Sequence, residues 1–300
     1  MTTEAHRENH SDDQVGPGGR DRLPLAGRTV LVTGVSRRVG IGHAIACRAA
    51  DYGASIVAHH YRPHDVSQPW GADDVEAVMD SIRSHLVGPA QLIDVPADLA
   101  APGEPTRVVE QAAAAAGHLD ALVCNQAMSS PDGPLSEMTE AVLDAHWAVD
   151  ARASILLAQA FAAQEGFAVP ASSGLGRRRG AIVFLTSGQG LGPLPGEIAY
   201  AAAKAAIAGV TLTISGELID AGITVNTVNP ALSTPATSPR RYARRQQPCS
   251  PRGAGASRTM PPASSPGCSP MRPAGSPGRS SALRAASPAG AADGVPRPKN

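Results

Sequence analysis

The sequence predicts an α/β fold, a doubly wound parallel sheet in a single domain whose last strand is missing. Three observations predict it. Six short β-branched runs are separated by five Ala-rich stretches of helical length, and that alternation reads as a parallel sheet with helices on both faces. The runs are apolar without a polar alternation, as strands buried on two sides require. A glycine-rich turn joins the first run to the first helical stretch.

In chain order, the predicted strands are Thr29–Thr33, Ser55–Ala58, Gln91–Ile93, Ala121–Cys124, Ala181–Thr186 and Thr224–Val228. The predicted helices are Gly42–Tyr52, Ala72–Leu86, Pro105–Ala116, Glu140–Gln164 and Ile198–Asp220. Ser172–Arg179, with three consecutive arginines, reads as a solvated loop before the fifth strand. No internal repeat is visible.

Composition bounds the function classes. Apolar residues are 42% of the 300, enough for a large core, while aromatics are 3%. No run of eighteen apolar residues is present, so no membrane span is expected, and the polar, acidic start carries no secretory signal. The cysteines Cys47, Cys124, Cys249 and Cys268 form no CxxC pair. A zinc cluster or disulfide framework is therefore not expected, and a reducing, cytoplasmic setting fits.

The net charge of zero conceals a split. Residues 1–230 hold 15 Lys+Arg against 25 Asp+Glu, a balance of −10, and residues 231–300 hold 11 against 1, a balance of +10. Pro, Ser, Arg, Ala and Gly make up 54 of the last 70 residues, a composition that cannot bury enough apolar surface to offset its ordering entropy. The expected organisation is an extension at 1–24, a folded domain at 25–234 and a tail at 235–300 without a core. The tail's arginines suit nonspecific phosphate contacts. Tyr242 is its one aromatic residue, so it offers no stacking platform and no specific nucleic-acid partner is expected.

The turn after the first strand runs Thr33-Gly34-Val35-Ser36-Arg37-Arg38-Val39-Gly40-Ile41-Gly42. Glycines at a strand-to-helix turn let the backbone approach a pyrophosphate seated on the positive end of the helix. Tyr200 and Lys204 lie one turn apart on one face of the last helix, and Ser187 closes the fifth strand thirteen residues before the tyrosine.

Together these motifs resemble the short-chain dehydrogenase/reductase family, whose fold is of Rossmann type. The turn resembles its TGxxxGxG signature, with five residues rather than three between Gly34 and Gly40. Asp98-Leu99 resembles its adenine-contacting pair. Asn125-Gln126-Ala127 stands where the family has Asn-Asn-Ala-Gly, with Gln126 and Met128 as departures. Asn229-Pro230 matches the start of its Asn-Pro-Gly loop, with Ala231 in place of the glycine. The resemblance implies cofactor contacts from Gly34, Ser36, Arg37, Arg38, Gly40, Ile41, Gly42, Asp98, Leu99, Asn125, Tyr200, Lys204 and Pro230.

A carboxylate at the end of the second strand would bind the ribose diol of NAD and repel a 2′-phosphate. That strand ends Ala58-His59-His60-Tyr61-Arg62 without an acid, and Arg37, Arg38 and Arg62 supply positive charge. NADP is therefore favoured over NAD.

The chemistry explains the remaining residue types. Hydride addition to a carbonyl carbon leaves charge on the oxygen, which needs a proton. Free tyrosine titrates near 10, and a neighbouring ammonium is expected to lower that. Tyr200 is then the general acid of reduction and the base of oxidation. The resemblance implies that Lys204 also holds the nicotinamide ribose and that Ser187 orients the carbonyl oxygen. Where the family has an asparagine in the fourth helix, this chain has Asp150, which either holds a water or pairs with Lys204. His59, His60, His118 and His146 are expected to be surface or packing residues.

The resemblance spans residues 25–234 and implies a small-molecule carbonyl substrate and a homo-oligomer. The Gly-loop variant and Pro69-Trp70-Gly71 point to the 3-oxoacyl-carrier-protein reductase branch, and so to fatty acid biosynthesis. Beyond residue 234 the family's seventh strand is not legible. Plausible codons for Cys268–Pro288 read two bases later permit an Ile-Thr-Gly start, an acidic residue and a double glycine, like the family's ending. A frameshift near residues 232–250 is thus expected, to be checked in the gene, and with it an unpaired apolar edge on the sixth strand, poor folding and little turnover. A cofactor-binding protein without catalysis is the alternative expectation.

Overall fold

The computed structural model describes residues 23–167 and 179–230. The expectations for residues 1–22, for most of the Ser172–Arg179 loop and for the tail, the frameshift included, lie outside the described residues.

Six parallel strands form one sheet in the order β3-β2-β1-β4-β5-β6. They are β1 Thr29–Val32, β2 Ser55–His60, β3 Leu92–Pro96, β4 Ala121–Cys124, β5 Gly180–Leu185 and β6 Ile223–Val228. The order steps outward from β1 in both directions, since Val30 faces Ile56 of β2 on one side and Ala121 of β4 on the other. The turns after β1 and β4 therefore diverge, and a crevice opens at their carboxyl ends.

The helices are α1 Ile41–Asp51, α2 Arg62–Val66, α3 Val75–Arg83, α4 Glu104–Ala116, α5 Glu140–His146, α6 Ala153–Ala162 and α7 Ile198–Leu218. A π-helical segment, Trp147–Arg152, joins α5 to α6 within the stretch expected as one helix. The wider turn brings in an extra residue and re-aims the side chains there, Asp150 among them; such segments recur at functional sites. The five residues of α2 were not expected. Arg-Pro-His-Asp-Val has no apolar period to announce a helix, and its proline sits in the first turn, where no N–H is needed.

Alternate residues of β1 point to opposite faces. Leu31 joins Leu122, Leu157, Phe161, Ile182 and Phe184 on one side of the sheet. Val30 and Val32 join Ile56, Met79 and Ile82 on the other. Each fully buried large side chain contributes about 1.5–3 kcal/mol. With so few aromatic residues, the helices lie close over their alanines, such as Ala46, Ala50, Ala112 and Ala158.

Two expectations change. The edge of β6 is not uniformly apolar: Ile223 and Val225 are buried while Thr224, Asn226 and Thr227 are exposed. Among the described residues this strand is covered on one face only, and it shows the alternation of a half-exposed strand. A membrane-length helix is also present. The 21 residues of α7 have a mean hydropathy of 1.5 in their most apolar window, of which 28% is buried. Length and apolarity alone would let α7 cross a membrane; in this fold it lays Ala203 and Ile207 into the core and packs on β6.

Candidate active site

The turn after β1 is held shut by the loop after β4. The Asn125 side-chain amide donates to the Thr33 and Gly34 carbonyls at 3.0 and 3.1 Å, and the Thr33 hydroxyl accepts from the Asn125 backbone N–H at 2.9 Å. Gly34 has φ +70°, which favours glycine. A Cβ at Gly42 would stand 2.6 Å from both the Gly34 oxygen and the Asn125 amide nitrogen. Such a Cβ would fill the space that lets α1 approach the turn. The first backbone N–H groups of α1 carry no side-chain cap, since Gly40 is the N-cap. The turn thus fits a pyrophosphate.

His59 fastens the turn to the far strand. The Gly34 N–H donates to Nδ1 at 3.4 Å, and Nε2 meets the Ala97 carbonyl at 3.1 Å. A backbone N–H only donates and a carbonyl only accepts, so Nε2 carries the hydrogen. Burial pushes this imidazole down to about 4, keeping it neutral.

A cavity of about 660 Å³ runs along these strand ends. Gly34, Ser36, Arg37, Gly40, Ile41, Asp98, Leu99 and Asn125 line it, whereas Arg38, Gly42, Tyr200, Lys204 and Pro230, also expected at the cofactor, do not. Asp98 accepts from the Ala100 N–H at 2.9 Å, and Leu99 is 3% exposed beside it. The three arginines expected at the ribose corner have different fates. Asp73 holds Arg38 by two side-chain contacts, at 2.8 and 3.0 Å, on the outer surface. Arg37 faces the cavity but pairs with Asp65 at 3.1 Å and lies over the Trp70 ring, 5.0 Å from its centroid. Arg62 is exposed at the start of α2, with no ion pair to a described residue. Although β2 ends without an acid, α2 folds the Asp65 carboxylate back into the same corner.

The second half of the site lies at the ends of β4 and β5. The Ser187 side chain lies near enough to the Tyr200 phenol to favour its ionisation. The Lys204 ammonium donates to the Leu185 carbonyl at 3.2 Å and lies 5.6 Å from the Tyr200 ring centroid. Burial pushes the phenol above its ordinary value; the Ser187 side chain opposes this, and the Asp150 and Glu197 charges add to it. Here the structure differs from the expected lowering. The ammonium is turned to a backbone carbonyl, and desolvation of the phenolate prevails. Burial likewise lowers Lys204, with Asp150 pulling the other way.

Asp150 is 1% exposed. Its Oδ1 accepts from the Met128 N–H at 2.7 Å, while Oδ2 is buried without a hydrogen-bond partner. Burial pushes its carboxyl up to about 6, against the pull of Lys204.

Two supporting residues escaped the sequence. Asp132 accepts from the Ala199 and Tyr200 backbone N–H groups at 3.1 and 2.9 Å, capping α7 from a loop 68 residues before the tyrosine. Gln126, a departure from the family pattern, donates to Ser154 at 2.9 Å and to the Val149 carbonyl at 3.2 Å, tying the β4 loop to the π segment. Their only signal was a polar residue in a loop; the partners are remote in sequence. Among the remaining histidines, His118 packs on Phe167, with ring centroids 5.0 Å apart, and His146 is fully buried with Nδ1 2.9 Å from the Val142 carbonyl.

Known proteins place the chain by both sequence and shape. The family model described as short chain dehydrogenase matches residues 28–245. The uncharacterized oxidoreductase YjdA of Bacillus subtilis is 35% identical over 206 residues, covering 68% of this chain and 74% of that protein. The 3-oxoacyl-[acyl-carrier-protein] reductase FabG of Staphylococcus epidermidis is 31% identical over 203 residues, with the same two coverages of 68% and 74%. A short chain dehydrogenase from Burkholderia cenocepacia, solved in complex with NADP, superposes with a TM-score of 0.56 at 33% identity, covering 69% of this chain and 74% of that one. The chain is a member of the short-chain dehydrogenase/reductase family, an oxidoreductase built on a Rossmann-type sheet.

Proposed function

We propose that this oxidoreductase reduces a carbonyl compound with NADP as cofactor, a 3-oxoacyl thioester being the favoured substrate class. The observation that carries the reading is the Ser187–Tyr200–Lys204 cluster at the same edge of the sheet as the glycine turn. The glycine turn, Asn125, Asp98 and Leu99 would hold the dinucleotide, with Lys204 near its nicotinamide ribose. When bound, the nicotinamide supplies the hydride donor or acceptor. The Tyr200 phenol gives its proton to the carbonyl oxygen, which Ser187 holds by a hydrogen bond. Burial keeps that phenol protonated at neutral pH, and a protonated phenol beside a carbonyl oxygen is a donor, so the site is poised for reduction. Arg62, exposed at the start of α2, supports NADP. The Staphylococcus epidermidis relative supports the thioester class. The buried free thiols Cys47 and Cys124 suit a reducing compartment.

A second reading, cofactor binding without turnover, is favoured by Asp150, whose charge raises Tyr200 and faces Lys204. Fluorescence titration with NADPH, run beside an oxidation assay on a 3-oxo ester, separates the two. Turnover lost in Tyr200→Phe with NADPH binding intact is the expected result. NADPH binding in the wild type without oxidation of NADPH by any 3-oxo ester would support the second reading.

A further inference from the structure

We propose that Asp65 is the cofactor-selecting residue of this chain: it restrains Arg37, so NADPH and NADH bind with affinities within about tenfold of each other, a difference of no more than about 1.4 kcal/mol. The inference rests on reading the cavity as a dinucleotide site. Asp65 is 6% exposed and lines that cavity. Its Oδ1 forms an ion pair with Arg37 Nε at 3.1 Å and accepts from Trp70 Nε1, also at 3.1 Å, and its Oδ2 accepts from the Ser36 hydroxyl. Ser36 and Arg37 both belong to the glycine turn, so the carboxylate sits against the segment that would face the adenosine ribose.

The charge arithmetic follows from these contacts. A 2′-phosphate brings about −1.5 to −2 of charge, on the scale of a phosphate monoester. Among the described residues the one arginine or lysine lining the cavity is Arg37, and Asp65 already cancels that cation. A guanidinium has five N–H donors, and only Nε is on Asp65, so its outer nitrogens remain available to a phosphate. The phosphate then approaches a neutral pair and a buried carboxylate, and gains less than it would from an unpaired arginine. An unphosphorylated ribose meets no such repulsion. Each carboxylate oxygen has about two acceptor sites, and Oδ2 has a single protein donor, so a ribose hydroxyl has a place to donate. Asp65 thus weakens one cofactor and receives the other. Stacking on Trp70 keeps Arg37 in this arrangement.

The test compares 2′,5′-ADP with 5′-AMP, and NADPH with NADH, by displacement and fluorescence titration on the full chain. In the wild type, each pair should bind within tenfold. Asp65→Asn should raise the preference for the phosphorylated member at least tenfold, and Arg37→Met should reverse it toward NADH. The double variant should lean less toward NADH than Arg37→Met alone, because the carboxylate's own repulsion of the phosphate and its place for a ribose hydroxyl are then lost as well. A hundredfold preference in the wild type, in either direction, overturns the proposal without any variant. An Asp65→Asn protein that folds and binds with an unmoved ratio overturns it too. If neither fragment nor dinucleotide binds, the dinucleotide reading itself falls, and this one with it.

Discussion

Replacing Asp150 by asparagine should make the protein more stable at neutral pH, although the residue lies inside the proposed catalytic cluster. The side chain is buried, and its carboxyl is pushed up to about 6, from an ordinary value near 4. Ionising it in the fold therefore costs about 3 kcal/mol more than ionising it in the unfolded chain. The sign is fixed by the proton count. Between pH 4 and 6 the unfolded chain releases this proton while the fold keeps it, so stability falls as pH rises through that window and stays lower above it. Asparagine keeps an oxygen for the Met128 N–H and places a neutral amide where Oδ2 has no partner. Urea midpoints of the two full-length proteins, read by circular dichroism from pH 4 to 8, isolate the effect, since every other titration is shared. The variant should gain about 3 kcal/mol on the wild type over the whole range, roughly half of it above pH 5. Parallel stability curves would show that the carboxylate is already paired or hydrated, and the argument from burial would fail.

Two further substitutions test the scaffold of the site. Gly42→Ala places a methyl 2.6 Å from the Gly34 carbonyl, so it should cost about 1–3 kcal/mol in urea unfolding and weaken NADPH binding at least tenfold; wild-type affinity would show that the turn is free to relax. Asp132→Ala removes the acceptor of the Ala199 and Tyr200 N–H groups, so it should cost about 1–2 kcal/mol and lower kcat more than it raises KM. Asp132→Asn, which keeps an acceptor oxygen, should recover most of the rate.

The parts of this molecule that can be read in the sequence are those whose cause is local. Val30, Leu31 and Val32 announce a buried strand by being β-branched or apolar in succession, and all six strands fall within a few residues of their expected bounds. The Tyr200–Lys204 pair needs only the pitch of a helix to share a face. What stays hidden depends on distant partners. Asp65 reads as an ordinary turn residue until α2 swings it against Ser36 and Arg37. Arg38 reads as free charge until Asp73, 35 residues on, accepts from its Nε and Nη2. The upward push on Tyr200 could not be read at all, because the amount of water excluded from a phenol is a property of the packed site. The alternation in β6 is muted because Thr224 and Thr227 are β-branched and suit a covered or an open face alike, which leaves Asn226 as its one plain polar signal.

The neutral imidazole of His59 has a consequence for how the groove receives a ligand. One ring spans the gap between the Gly34 N–H and the Ala97 carbonyl, so the spacing between the proposed phosphate seat and the proposed adenine wall is built in before anything binds. Little ordering entropy is then left for association to spend. The same strut makes the two ends interdependent. A proton forced onto Nδ1 would set two N–H dipoles against each other at the Gly34 turn, and acid would pry the seat open from beneath while leaving every residue that faces the ligand chemically unchanged.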